Sequence, residues 1–162
     1  MLPSSFFRSG ARALVLTSTY LFLSAATALF GQSPSSLDGY DPNVNGVILV
    51  ATTQRDGKVI VGGAFTTVQP NGVSDKVDRN YLARFNPDGS LDQNFNPNAN
   101  DQINAIALQS DGKVLIGGLF TTLQPNDASA PTTRNHFARL NSDGSLDTAF
   151  NPNVTGSLAP QV

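Results

Sequence analysis

Two stretches of the chain set oxygen-bearing side chains close together. Asn86-x-Asp88-Gly89-x-x-Asp92 and Asn141-x-Asp143-Gly144-x-x-Asp147 have the spacing in which one loop can gather a divalent cation. Calcium takes about six to eight oxygens, usually with several carboxylates among them. The position where the first ligand belongs holds Arg84 or Arg139, a cation where an anion is needed. The simpler expectation is a hairpin turn whose Asn and Asp bond nearby backbone amides, with the Arg paired to an Asp. Asp56 and Asp111 invite a second chemistry, that of paired catalytic carboxylates, but each lies beside a turn glycine at the same place in an identical Asp-Gly-Lys-Val run. A position that repeats is normally structural, because catalysis needs the copies to differ. His136, the single histidine, stands where Tyr81 stands one repeat earlier, so aromatic packing accounts for it. Gly62-Gly63 lacks the following helix and Lys of a phosphate loop, which excludes nucleotide binding. No catalytic, cofactor-binding or metal-binding residue is assigned, no cofactor is expected, and the chain is not expected to be an enzyme.

Composition narrows the classes further. Of 162 residues only 14% are charged, and all 12 acids are Asp. With three Lys, 14 Gly and 10 Pro, helix formers are scarce and turn formers abundant, which excludes a helical bundle. A formal charge of −2 excludes nucleic-acid binding through bulk positive charge. The absence of Cys excludes disulfides, thiol catalysis and zinc–thiolate sites.

The first 30 residues differ from the rest. Arg8 and Arg12 precede an apolar run from Ala13 to Phe30, and Ala26-Thr27-Ala28 fits the small-x-small rule, so residues 1–28 read as a secretory signal helix cleaved after Ala28. Cleavage after Gly31 is the second choice, and an uncleaved membrane anchor is the alternative. Removal leaves eight Lys and Arg against 12 Asp. The mature chain is expected to be secreted, periplasmic or on the cell surface, held by its core and hydrogen bonds.

The elements that must position the Asp-rich turns follow from a repeat. Aligned without a gap, 41–95 and 96–150 share 29 identities in 55 positions. Residues 29–40 read as a linker with the remnant of a preceding repeat, since Leu37-Asp38-Gly39-Tyr40 is a worn copy of Leu91–Phe95. Asn151-Pro152-Asn153-Val154 restarts the unit, so 151–162 is expected to be the start of a truncated third repeat.

Each unit predicts four strands. In the first copy, 47–54 and 58–65 flank the tight turn Arg55-Asp56-Gly57, a polar loop runs over about 69–79, and strands 81–85 and 90–95 flank Asn86-Pro87-Asp88-Gly89. Ile48–Ala51, Val59–Val61 and Val114–Ile116 are apolar on consecutive positions, which predicts burial on both faces. The double glycine suits a strand that closely approaches its neighbour. The expectation is all-β: two four-stranded antiparallel propeller-like blades, with a one-dimensional β solenoid as the alternative.

Two long motifs carry a family resemblance. Gln54-Arg-Asp-Gly-Lys-Val-Ile-Val-Gly-Gly-Ala-Phe65 recurs as Gln109–Phe120, and Leu82–Phe95 recurs as Phe137–Phe150. The unit resembles the delta-60 repeat of secreted bacterial proteins. The resemblance implies a β-propeller-like array in exported proteins without an established catalytic activity. The Gly-Gly ending is also similar to kelch blades, whose usual Trp this chain lacks. Bacterial export would leave the sequon Asn153-Val154-Thr155 unused.

The functional expectation is a non-catalytic exported repeat module that serves as a binding or adhesion scaffold. Its partners would be further repeats of the same kind and a protein or glycan ligand, not nucleic acid, with the membrane touched only through the signal segment. The most divergent stretch, Gly72–Asp78 against Asp127–Thr133, would present the contacts. The alternative is a fragment of a secreted polymer- or sugar-cleaving propeller whose active site lies in missing blades. Two blades alone are expected to leave apolar faces open and to self-associate.

Overall fold

A computed structural model of the chain describes residues 41–154. They fall within one unit, Ser33–Val162. The expected signal helix, the linker remnant and residues 155–162 lie outside the described residues.

Within this span the chain is all-β. The first repeat forms β1 (Val47–Thr53), β2 (Val59–Ala64), β3 (Thr67–Val68), β4 (Val77–Asp78) and β5 (Leu82–Phe85), and the second forms β6 (Ile103–Leu108), β7 (Val114–Gly118), β8 (Thr122–Leu123), β9 (Thr132–Thr133) and β10 (Phe137–Leu140). Each repeat builds one antiparallel sheet with its glycine-rich strand in the middle, β1-β2-β5 and β10-β7-β6, plus a two-stranded flap, β3-β4 or β8-β9. A bulge interrupts the first pairing between Ile48 and Val50 and recurs between Ile103 and Ala105.

Turn chemistry sets these registers. Gly57 and Gly112 sit at φ 83° and 86°, closing three-residue loops in which Gln54 N–H donates to Lys58 O and Gln109 N–H to Lys113 O. A residue with a Cβ resists that backbone, so the Asp-Gly dipeptide fixes where the hairpin reverses. The double glycine does what its spacing suggested. A Cβ on Gly63 would run into the Val47 carbonyl, and one on Gly118 into the Gln102 carbonyl.

Two expectations need correction. The fourth strand, 90–95, shrinks to the single bridge Phe85↔Leu91, with Leu140↔Leu146 in the second repeat. Asp92 ends it: Oδ1 accepts from Asn94 N–H at 3.1 Å, and the Asp92 carbonyl accepts from Phe95 N–H at 3.2 Å, so the chain curls off the sheet edge. The sheets are therefore three-stranded with a one-rung fourth edge. Burial on both faces holds for β2 but fails for β1, whose residues alternate between exposed and half-buried. Val50 on β1 faces the second blade, and Ile106 and Leu108 on β6 pack into the same shared core, so each of these edge strands meets a neighbouring blade on one face only.

That core joins the repeats. Ile60 and Leu82 of the first blade are buried with Ile103, Val114, Ile116 and Phe120 of the second. A second cluster, Val61, Phe65, Val68, Ala83, Phe85 and Leu91, lies on the opposite face of the first blade.

Candidate functional site

The Asp-rich turns are built twice in the same way. Asn86 N–H donates to Ser90 O at 2.8 Å, Gly89 N–H to Asn86 O at 2.9 Å, and the Asp88 carboxylate accepts from both the Ser90 amide and its hydroxyl. Asp143 and Ser145 repeat the arrangement. The Ser hydroxyl, then the Ser amide, hold both carboxyls below their ordinary pKa.

Asp92 and Asp147 anchor a compact ion network. Lys58 Nζ reaches Asp92 Oδ2 at 2.7 Å and Arg84 Nε reaches the same oxygen at 2.9 Å. Lys113 and Arg139 make the same pairs with Asp147 at the same distances. Burial pushes the Asp92 carboxyl up, but the Lys58 hydrogen bond and the Arg84 and Lys58 charges outweigh it, and its pKa falls. For Asp147 the Lys113 hydrogen bond leads, burial opposes it, and the Arg139 bond adds to the lowering. The oxygens that a calcium ion would need thus already accept bonds from Lys, Arg and backbone amides. Among the described residues no group of three or more His, Asp, Glu or Cys is placed to hold a metal ion.

The Arg pair is where the two copies diverge. Arg84 also donates through Nη1 to the Ser142 carbonyl of the next blade at 2.5 Å, and its Cζ lies 4.1 Å from the centre of the Phe95 ring. Arg139 lies 4.4 Å from the Phe150 ring, and its side chain is 23% exposed against 7% for Arg84. The sequence marked both Arg residues as partners for an Asp. It could not show that one of them also bridges two blades, because Ser142 lies 58 residues away.

Asp56 and Asp111 are each engaged in their own turn. Each accepts the Lys amide two residues on, Lys58 at 3.2 Å and Lys113 at 3.1 Å, as a turn-forming carboxylate does. Tyr81 and His136 adopt φ 65° and 63°, and His136 Nδ1 lies 3.2 Å from the Gly118 carbonyl. Their amides donate to Phe65 O and Phe120 O while their carbonyls accept from Gly63 and Gly118, so the left-handed turn joins each flap to its sheet.

Sequence reasoning passed over the asparagines. Asn45 Oδ1 accepts from the Thr66 and Thr67 amides, and Asn100 does the same for Thr121 and Thr122. Asn80 Nδ2 donates to Asn98 Oδ1 at 2.7 Å, and Asn135 to Asn153 at 2.9 Å, linking each blade to the chain that starts the next unit. Their identity in both copies was the available signal.

Between the blades, where both Asp-Gly turns emerge, a groove of about 790 Å³ opens; Arg55, Lys58 and Arg84 line one side, and Gln109, Ser110 and Ser142 the other. The two divergent loops lie elsewhere, between the flap strands. Each begins with a 3-10 turn, Pro70–Gly72 or Pro125–Asp127, whose central Asn71 or Asn126 has φ 53° or 49°. Beyond it Val73 is 46% exposed, and 74–76 and 128–133 are exposed.

No curated protein and no solved structure matches the chain. The family described as "Domain of unknown function (DUF5122) beta-propeller" matches residues 54–95 and 109–150, together about half of the chain. Those two segments run from the first Asp-Gly turn to the phenylalanine that follows each Asp-anchored network. The chain belongs to this β-propeller repeat family.

Proposed function

We propose that the chain is a non-catalytic, exported repeat module of the delta-60 kind, a scaffold that presents loops for binding or adhesion outside the cytoplasm of a bacterium. Its partners on this reading are further repeats of the same kind and a protein or glycan ligand. One observation carries the proposal. The flap loops keep an identical frame in both copies, with the same 3-10 turn and two-residue strands, while 72–78 and 127–133, exposed at 73–76 and 128–133, differ in sequence at all but one position. A fixed frame with free sequence at its tip is how a scaffold varies what it contacts. The repeated Asp, Lys and Arg residues are engaged in turns and ion pairs, which leaves them structural work.

The test is retention of the purified protein on a panel of immobilised polysaccharides and surface proteins, before and after replacing 72–78 with the sequence of 127–133. Binding that changes with the loop at unchanged thermal stability is the expected result. Failure to bind any member of the panel, or binding indifferent to both loops, counts against a display role. Release of reducing sugar from a polysaccharide would point instead to a secreted propeller enzyme.

A further inference from the structure

Six polar side chains that line the groove between the blades make no hydrogen bond or ion pair among the described residues. Thr53, Gln54 and Arg55 come from the first blade, and Gln109, Ser110 and Ser142 from the second. The charged side chains beside them are already engaged. Asp56 Oδ1 accepts the Lys58 amide, and Lys58 and Arg84 share Asp92 Oδ2. Arg55, Lys58 and Arg84 outnumber Asp56 and Asp92, so this wall holds surplus positive charge in a chain whose formal charge is −2. Arg55 is exposed, and its guanidinium is free to meet an anion. Gln54 and Gln109 are half-buried, and Oε1 of each is shut off from solvent without a donor. A buried acceptor left unsatisfied is unfavourable, so either amide gains by turning to a donor held in the groove.

The two copies separate frame from contact here. Gln, Asp, Gly and Lys of the turn are kept, whereas Thr53 is replaced by Leu108, Arg55 by Ser110 and Pro87 by Ser142. The constant turn thus sets a cation on one wall and neutral hydroxyls with an amide on the other. No aromatic side chain lines the groove, so a flat apolar ligand finds no stacking surface. A ligand matched to these walls bears a carboxylate and several hydroxyls. We propose that the groove binds an acidic sugar, a uronic acid within an oligosaccharide, with its carboxylate on Arg55 and its hydroxyls on Gln54, Gln109, Ser110 and Ser142. A guanidinium takes a carboxylate through two parallel N–H bonds, which fixes the orientation of the ring. A sugar hydroxyl both donates and accepts, so it serves the Gln oxygens and the Ser hydroxyls alike. The groove's volume of about 790 Å³ falls within the range of small-molecule sites, about 300–1,000 Å³. This site is separate from the flap loops and does not depend on what they bind.

Digalacturonate is the probe, its dimethyl ester the uncharged counterpart, and citrate a carboxylate without a sugar ring. Titration of the protein with digalacturonate, followed by amide chemical shifts, is expected to move Arg55, Gly57, Ser110 and Gly112 and to leave 73–76 and 128–133 still. Arg55→Gln removes no bond of the fold and is expected to weaken binding about tenfold or more, as is esterification. Replacing 72–78 with the sequence of 127–133 is expected to leave the affinity unchanged, which distinguishes this site from the flap loops. No shift at the two turns, or an affinity that Arg55→Gln or esterification leaves unaltered, overturns the proposal. Citrate binding as tight as that of digalacturonate overturns it too, since charge alone would then account for the site.

Discussion

Arg84 serves three neighbours at once: the Asp92 carboxylate, the Ser142 carbonyl across the blade boundary and the Phe95 ring. Arg139 has the matching Asp and ring, and more of it meets solvent. Arg84→Ala leaves Asp92 paired with Lys58 but takes the charged donor from the Ser142 carbonyl and the cation from the Phe95 ring. Losing a hydrogen bond from a charged group costs about 1.5–3 kcal/mol, so Arg84→Ala is expected to lower stability by about that much in denaturant unfolding and Arg139→Ala distinctly less; equal costs would remove the bridging role. The same network sets the acid limb of stability. Asp88, Asp92, Asp143 and Asp147 all have lowered folded-state pKa values. A group with a depressed folded pKa contributes stability above its unfolded value, about 3.9 for Asp, and loses it as pH falls through the folded value. Urea midpoints are expected to be flat near neutrality and to drop below about pH 4, with a shallower drop in Asp92→Asn. A profile that rises on acidification would contradict the ion network. Pairing of Arg with Asp could be read from the sequence because the partners sit eight residues apart on one hairpin. The bridge to Ser142 could not, since it exists only once the blades stack.

At the scale of elements, the glycines separate into two kinds. Gly118 has a carbonyl where its Cβ would go, whereas a Cβ on Gly117 makes only ordinary contacts beyond 3.6 Å. Gly118→Ala must push β6 and β7 apart and is expected to destabilise by about 1–3 kcal/mol, the usual range for overpacking. Gly117→Ala is expected to change little, and calorimetry on the pair decides between them. The hairpins and their reversal points were legible in the sequence, because Asp-Gly between apolar runs has few other outcomes. The fourth strand was not. Leu91-Asp92-Gln93-Asn94-Phe95 has the apolar ends of an extended segment, but the Asp92 side chain captures the Asn94 amide and turns the chain away. Side-chain capture of a local amide competes with the ladder, and periodicity does not register it. The flap strands escaped notice for a simpler reason: two residues each, Thr67–Val68 and Val77–Asp78, are too few to show a period.

At the scale of the whole molecule, the two described repeats make one shared core and leave apolar side chains of β1 exposed among the described residues. Val47 and Leu49 on β1 are 51% and 48% exposed. Apolar surface left in water costs roughly 25 cal/mol per Å², so contact between copies is favoured. Light scattering is expected to show concentration-dependent association that Val47→Lys with Leu49→Lys weakens; a strict monomer at every concentration would contradict this. The repeat was legible because the copies align without a gap, whereas the exposure of Ala51 on β1 and Ala105 on β6 depends on the neighbours that three dimensions bring together. Amide exchange in Leu82→Ala tests the shared core most directly. Leu82 is fully buried in the first blade yet belongs to one cluster with Val114 and Ile116. Its truncation should cost about 2–5 kcal/mol and be felt by both blades. Exchange is expected to quicken in β7, Val114–Gly118, as much as in β2, Val59–Ala64. Faster exchange confined to β2, with β7 unchanged, would show two independent modules and contradict the stacked pair.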